Sequence, residues 1–238
     1  LTATSGIGAW SCGHQVLSLG TPGLTTLERS RSMTLVYNSA TASPRPIVSA
    51  NVVVGGGSPS LDRVRAVLKV MDTVRTTVTY AGWTGASKQI SLGWSSGSRP
   101  TGIYPYELAV WAVAGSDSAA TTVSGNLFVV NRANGPMGTG WEWLGVERLV
   151  FSQPAGTNHL MWVGGDGSAA LYRQVTSTRW VAPPAEYRDT IVYASGEYTR
   201  TLRHGIQVVY DATGRHVRTI NRANQVTTFY WASATRLD

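Results

Sequence analysis

The stretch Gly205-Ile206-Gln207-Val208-Val209-Tyr210-Asp211-Ala212-Thr213-Gly214-Arg215-His216-Val217-Arg218-Thr219-Ile220 decides the fold. Two short runs, 206–210 and 216–220, are rich in β-branched residues. They flank Asp211-Ala212-Thr213-Gly214. Asp and Gly both tolerate the backbone conformations of a tight turn, so the runs read as a hairpin. Tyr210 is placed to pack on the neighbouring strand. Working outward, His204-Gly205 reads as a two-residue loop behind a run at 197–203. Asn221-Arg222-Ala223-Asn224 reads as the turn before a run at 225–231. Further runs at 141–151, 159–163, 169–174 and 189–194 extend the meander over 132–238, with Gly164-Gly165-Asp166-Gly167 as a turn between two of them. Asn131-Arg132-Ala133-Asn134 repeats the later tetrapeptide and hints at a recurring unit.

The rest of the 238 residues supports an all-β chain. There are 27 Thr and 26 Val, the hydrophobic fraction is 42%, and no long helical period occurs. A helical bundle, a coiled coil and an ordinary α/β core are excluded. Residues 45–131 hold runs at 47–54, 64–71, 74–80, 88–94, 104–114 and 123–130. Gly55-Gly56-Gly57 and Ser95-Ser96-Gly97 mark turns between them. That density of short strands predicts an immunoglobulin- or fibronectin-like sandwich. Its segment Gly102-Ile103-Tyr104 resembles a late strand of bacterial immunoglobulin-like modules. Residues 1–44 hold runs at 15–19 and 33–38, separated by Gly20-Thr21-Pro22-Gly23.

Charge and reactive residues point away from chemistry. The net charge is +7, carried by 18 Arg and 2 Lys. The arginines are spread over the chain and Lys is scarce, so no nucleic-acid stripe is expected. Cys12 is the one cysteine, which excludes an intrachain disulfide and a cysteine zinc site. No run of 18 apolar residues exists, so no helical membrane span is expected. His14, His159, His204 and His216 fall in no metal-binding spacing. The serines lack a nucleophile elbow. Glu142 and Glu147 are five apart, which on one strand puts them on opposite faces and not in a facing catalytic pair. Gly164–Gly167 lacks the further ligands of a calcium loop. No cofactor is expected. The nine Trp supply core packing, with sugar stacking as the alternative.

The residues Gly205, Tyr210, Asp211, Gly214 and Arg215, followed by Thr227-Thr228-Phe229-Tyr230-Trp231, resemble a YD repeat of the RHS family. Gly138-Thr139-Gly140-Trp141 with Arg148-Leu149 resembles the segment that begins RHS shells. Gly165-Asp166-Gly167 with Leu171-Tyr172-Arg173 resembles the next element. Tyr37-Asn38-Ser39 resembles the segment that normally lies shortly before that start. Here the two start segments lie far apart in sequence, so 45–131 reads as an insert. The expected domains are therefore an RHS-like start at 1–44, a sandwich insert at 45–131 and a YD-repeat meander at 132–238.

The resemblance implies a secreted or cell-surface bacterial protein with a hollow β-shell. In that setting the chain is expected to be a non-enzymatic structural module. It would be a piece of something longer, since it stops at Asp238 within a repeating pattern. Its partners would be other parts of the same chain or subunits of an assembly. The alternative is a binding module for a glycan or a protein.

Overall fold

The computed structural model describes residues 2–8, 15–18, 34–55, 60–135, 137–182 and 189–232, the first two stretches as backbone only. Cys12, His14 and the turn expected at 20–23 lie outside them. The strands run in chain order as β1 (Thr2–Gly8), β2 (Gln15–Ser18), β3 (Thr34–Tyr37), β4 (Ile47–Val53), β5 (Ser60–Val70), β6 (Thr73–Thr84), β7 (Ser87–Gly93), β8 (Gly102–Ala114) and β9 (Asp117–Val129). They continue as β10 (Trp141–Trp143), β11 (Arg148–Phe151), β12 (Leu160–Val163), β13 (Ala169–Thr176), β14 (Arg179–Val181), β15 (Thr190–Ala194), β16 (Glu197–Thr201), β17 (Gln207–Tyr210), β18 (His216–Ile220) and β19 (Val226–Thr228). A one-turn helix, α1 (Ser39–Ala42), follows β3. The fold is all-β.

The chain forms two compact units, and each draws on separate stretches of sequence. The first holds Leu1–Trp10, Pro44–Arg99 and Ile103–Val129. Its strands make one sheet in the order β1-β4-β7 and another in the order β6-β5-β8-β9. Side chains alternate along each strand, so every second residue faces inward. Val48, Ala50 and Val52 of β4 share one core with Ile90 and Leu92 of β7, Val64, Ala66 and Leu68 of β5, and Leu108, Val110 and Ala112 of β8. This is a sandwich of three and four antiparallel strands, of the immunoglobulin-like kind. Strand β1 was not foreseen. It pairs with β4 from Thr2↔Val53 to Gly8↔Ile47, which carries Thr2–Gly8 into the sandwich and away from the start segment drawn at 1–44. In sequence, then, residues 11–43 sit between the sandwich's first and second strands.

The second unit holds Ser11–Ser43, Pro100–Gly102 and Val130–Asp238. A small sheet runs β10-β3-β2, and a large one runs β11 through β19 with every strand beside its neighbours in sequence. The run expected at 141–151 is two strands in different sheets: β10 pairs with β3 and β11 with β12. Strand β14, only three residues long, was also missed. The inner face of the large sheet carries Leu149, Leu160, Trp162, Tyr172, Trp180, Ile191, Val208 and Tyr210 as one core. The sheet bends until its first strand meets a late hairpin, and Leu149 N–H donates to Gly214 O at 2.8 Å.

One turn geometry recurs. Residues 164–167, 202–205, 211–214 and 221–224 each close with a bond from the fourth N–H to the first C=O, and the first N–H bonds the residue after the fourth. The fourth residue has positive φ in each: Gly167 +89°, Gly205 +79°, Gly214 +85° and Asn224 +60°. This is the three-residue loop with a bulge, so the two-residue loop expected at His204-Gly205 is one residue longer. Asn131–Asn134 shares only the Asn side-chain cap. Ala133 N bonds Asn131 Oδ1, as Ala223 N bonds Asn221 Oδ1, but Asn131–Asn134 closes no hairpin.

The alternation yields a stability prediction. Leu108, at 0% exposure, should cost about 2–5 kcal/mol when changed to Ala. Val74, 54% exposed on β6, should cost less than about 1 kcal/mol on the same change. Chemical denaturation of the two variants checks the difference.

Candidate functional site

Tyr37, Asn38, Gly140 and Trp141 meet despite their separation in sequence. Trp141 lies opposite Tyr37 in the β10–β3 pair, with ring centroids 5.4 Å apart. Asn38 caps α1: its Oδ1 accepts from Ala40 N at 2.9 Å. Its own N–H donates to Gly140 O at 2.9 Å, and its Nδ2 donates to Asp166 O at 2.8 Å. One Asn thus ties three segments. Gly140 has φ +78°, and a Cβ there would stand 2.8 Å from the Tyr37 ring, so both conformation and space require glycine. Gly138, with φ +99°, accepts from Trp141 N. Arg148 donates from Nη2 to Thr101 Oγ1 at 2.9 Å, and burial lowers its pKa against the opposing charge of Glu142.

Arg132 clamps this assembly, and sequence reading gave it no role. Its Nη1 and Nη2 donate to Gly165 O and Gly164 O at 2.9 and 2.8 Å, and its Nε lies 3.4 Å from Glu142 Oε2. Burial pulls its pKa down to about 10, offset by Glu142. Gly165 is fixed by close approach: a Cβ would fall 1.9 Å from Trp143 O.

The β17–β18 hairpin is held by Asp211. Asp211 Oδ1 accepts from Thr213 N at 2.8 Å, Thr213 Oγ1 at 2.6 Å and Arg215 N at 3.0 Å. Its Oδ2 pairs with the Arg215 guanidinium at 2.7 Å. Burial pushes the Asp211 pKa up, but these bonds outweigh it and the net shift is down. Gly214 fits under β11, where a Cβ would meet Leu149 O at 2.4 Å. Gly205 supplies the positive φ of the preceding loop.

Tyr210 leads to a buried polar cluster. Its hydroxyl donates to Glu147 Oε2. The same oxygen accepts from Trp162 Nε1 at 2.6 Å and Arg200 Nη1 at 2.9 Å. Arg200 also holds Asp189 Oδ2 at 2.6 Å and lies 4.2 Å from the Trp162 ring centroid. The Arg200 and Asp189 side chains are each 4% exposed. Burial opposes the Arg200 charge, but Glu147 and Asp189 raise its pKa overall. Burial first, then the Glu147 charge, raises that of Tyr210 well above the usual 10. Burial likewise raises that of Tyr172, which faces Arg200 and Asp189. His216 completes the cluster. Its Nδ1 accepts from Glu147 N at 3.3 Å, so that nitrogen is unprotonated, and Nε2 faces Arg218 O and Thr219 Oγ1. Burial lowers its pKa to about 4, against the Glu147 charge and the Arg218 carbonyl.

Three donors converge on Glu147 Oε2, which makes that oxygen a structural acceptor. Glu142 stands apart from it on β10, in the Arg132 clamp. His159 Nδ1 accepts from Gln174 N at 3.1 Å, and His204 is exposed. Among the described residues no group of three His, Cys, Asp or Glu could hold a metal. Gly164–Gly167 is a turn whose Asp166 bonds Ser168. Among the described tryptophans none is exposed: 83, 94, 162 and 180 are buried, and 111, 141, 143 and 231 half-buried.

No protein-family model matches the chain, and no curated protein matches it.

The His216 environment predicts a pH dependence. Unfolded, the ring takes a proton below about 6.5; folded, it refuses one until about pH 4. The unfolded state binds more protons in that window, so stability rises with pH across it and falls on acidification. The His216 contribution lost by pH 4 is about 3 kcal/mol. Denaturation at pH 7 and pH 4 should show that loss in the native chain and a smaller one in His216→Gln.

Proposed function

We propose that the chain is a non-catalytic structural module of a secreted or cell-surface protein built from RHS-type YD hairpins. The observation that carries this reading is the nine-stranded meander, whose loops at 164–167, 202–205, 211–214 and 221–224 share one geometry. Such hairpins add one after another, each burying the edge its predecessor left. The convergence of Tyr37, Asn38, Gly140 and Trp141 supports a start segment for that wall. Strand β19 lies at the edge of the sheet, with Val226 54% and Tyr230 69% exposed beside it, which suits a further hairpin of the same polypeptide.

Peptide mapping of the native polypeptide from the secreted and envelope fractions of its source cells tests the reading. Peptides beyond Asp238 carrying further Tyr-Asp-x-x-Gly hairpins are expected. A native C-terminus at Asp238, or a polypeptide confined to the cytoplasm, would contradict it.

A further inference from the structure

The outer face of the β6-β5-β8-β9 sheet carries two exposed arginines, Arg63 and Arg65. On β5, Val64, Ala66 and Leu68 point into the core, so Arg63 and Arg65 point out together. Along the strand they are about 7 Å apart. Thr79 and Trp111 flank Arg65 in register, Ala81 and Val113 flank Arg63, and Thr77 lies opposite Val67. Arg63, Arg65, Thr77 and Thr79 are all exposed.

The nearby carboxylates are committed elsewhere. Glu107 pairs with Lys69 at 2.9 Å, and Asp62 accepts from Gly115 N at 2.7 Å. Among the described residues neither Arg63 nor Arg65 enters an ion pair. The Arg65 guanidinium lies 5.8 Å from the Trp111 ring centroid, which steadies both groups.

We propose that this face binds an acidic polysaccharide. Two neighbouring guanidinia that enter no ion pair among the described residues match carboxylate or sulfate groups along a polymer, and each can donate two parallel hydrogen bonds. The threonine hydroxyls beside them donate to and accept from sugar hydroxyls. The net charge of +7 adds long-range attraction for a polyanion. A single-stranded nucleic acid fits less well. It needs open aromatic faces for base stacking, and the one indole on this face is half-buried with a guanidinium over it. The proposal stands independently of the shell reading.

Titration calorimetry on the intact chain tests it, with heparin as the probe, neutral dextran as control and oligothymidylate as competitor. Heparin should bind at about 50 mM salt and weaken as salt rises. Dextran should not bind. The double variant Arg63→Gln with Arg65→Gln should weaken heparin binding by about tenfold. Arg173→Gln with Arg179→Gln, the same charge change at exposed sites in the other unit, should weaken it by less than about threefold. An equal loss in both double variants would reduce the effect to net charge and overturn the site. So would absence of heparin binding, or tighter binding of oligothymidylate than of heparin.

Discussion

One carboxylate oxygen, Glu147 Oε2, holds the bent sheet closed. It lies just before β11 and takes hydrogen bonds from Trp162 on β12, Arg200 on β16 and Tyr210 on β17. Strands far apart in sheet order thereby share one acceptor. A charge this enclosed is tolerated only when its lone pairs are filled, and removing a partner leaves the others unpaired. The bond from Leu149 N to Gly214 O lies beside it and repeats the closure on the backbone. Tyr210 thus has two tasks. Its ring fills the core, and its hydroxyl fixes the acceptor that sets the curvature.

A second buried charge, Arg132, does for the junction of β10, β3 and the turn at 164–167 what Glu147 does for the large sheet. Its guanidinium satisfies two carbonyls of a tight turn whose Gly165 admits no side chain. Asn38 reaches the same turn from the other side through Asp166 O. The two segments that join here are separated in sequence by most of the sandwich. Their convergence rests on polar groups with few alternative partners, which gives register specificity that apolar packing alone supplies less well.

The all-β class and most strand positions were legible because period-two patterning and turn residues are local signals. Asp211, Gly214 and Gly205 sit in turns for reasons visible within five residues. Strand β1 was illegible because its alternation is interrupted by Gly6 and its partners lie 39 to 51 residues on. Strand β14 is too short for periodicity to register. The run at 141–151 looked continuous because nothing local says that its halves pair with different sheets. The loop at Gly205 was read one residue short, since the bulge depends on the Leu202–Ile206 bond and not on the Gly itself. The largest omission was burial of charge. Arg132, Asp189 and Arg200 look like surface residues by type, and only tertiary pairing, of Arg132 with Glu142 and of Arg200 with Glu147 and Asp189, makes their burial possible.

The most direct measurement is hydrogen exchange on the native chain and on Glu147→Ala. Loss of the shared acceptor should destabilise the meander by about 3–5 kcal/mol. Protection should fall together across β12, β16 and β17, while the core strands of the sandwich keep theirs. If protection of those three strands changed by less than about 1 kcal/mol, the size of an exposed ion pair, the Glu147 cluster would not be what holds the sheet closed.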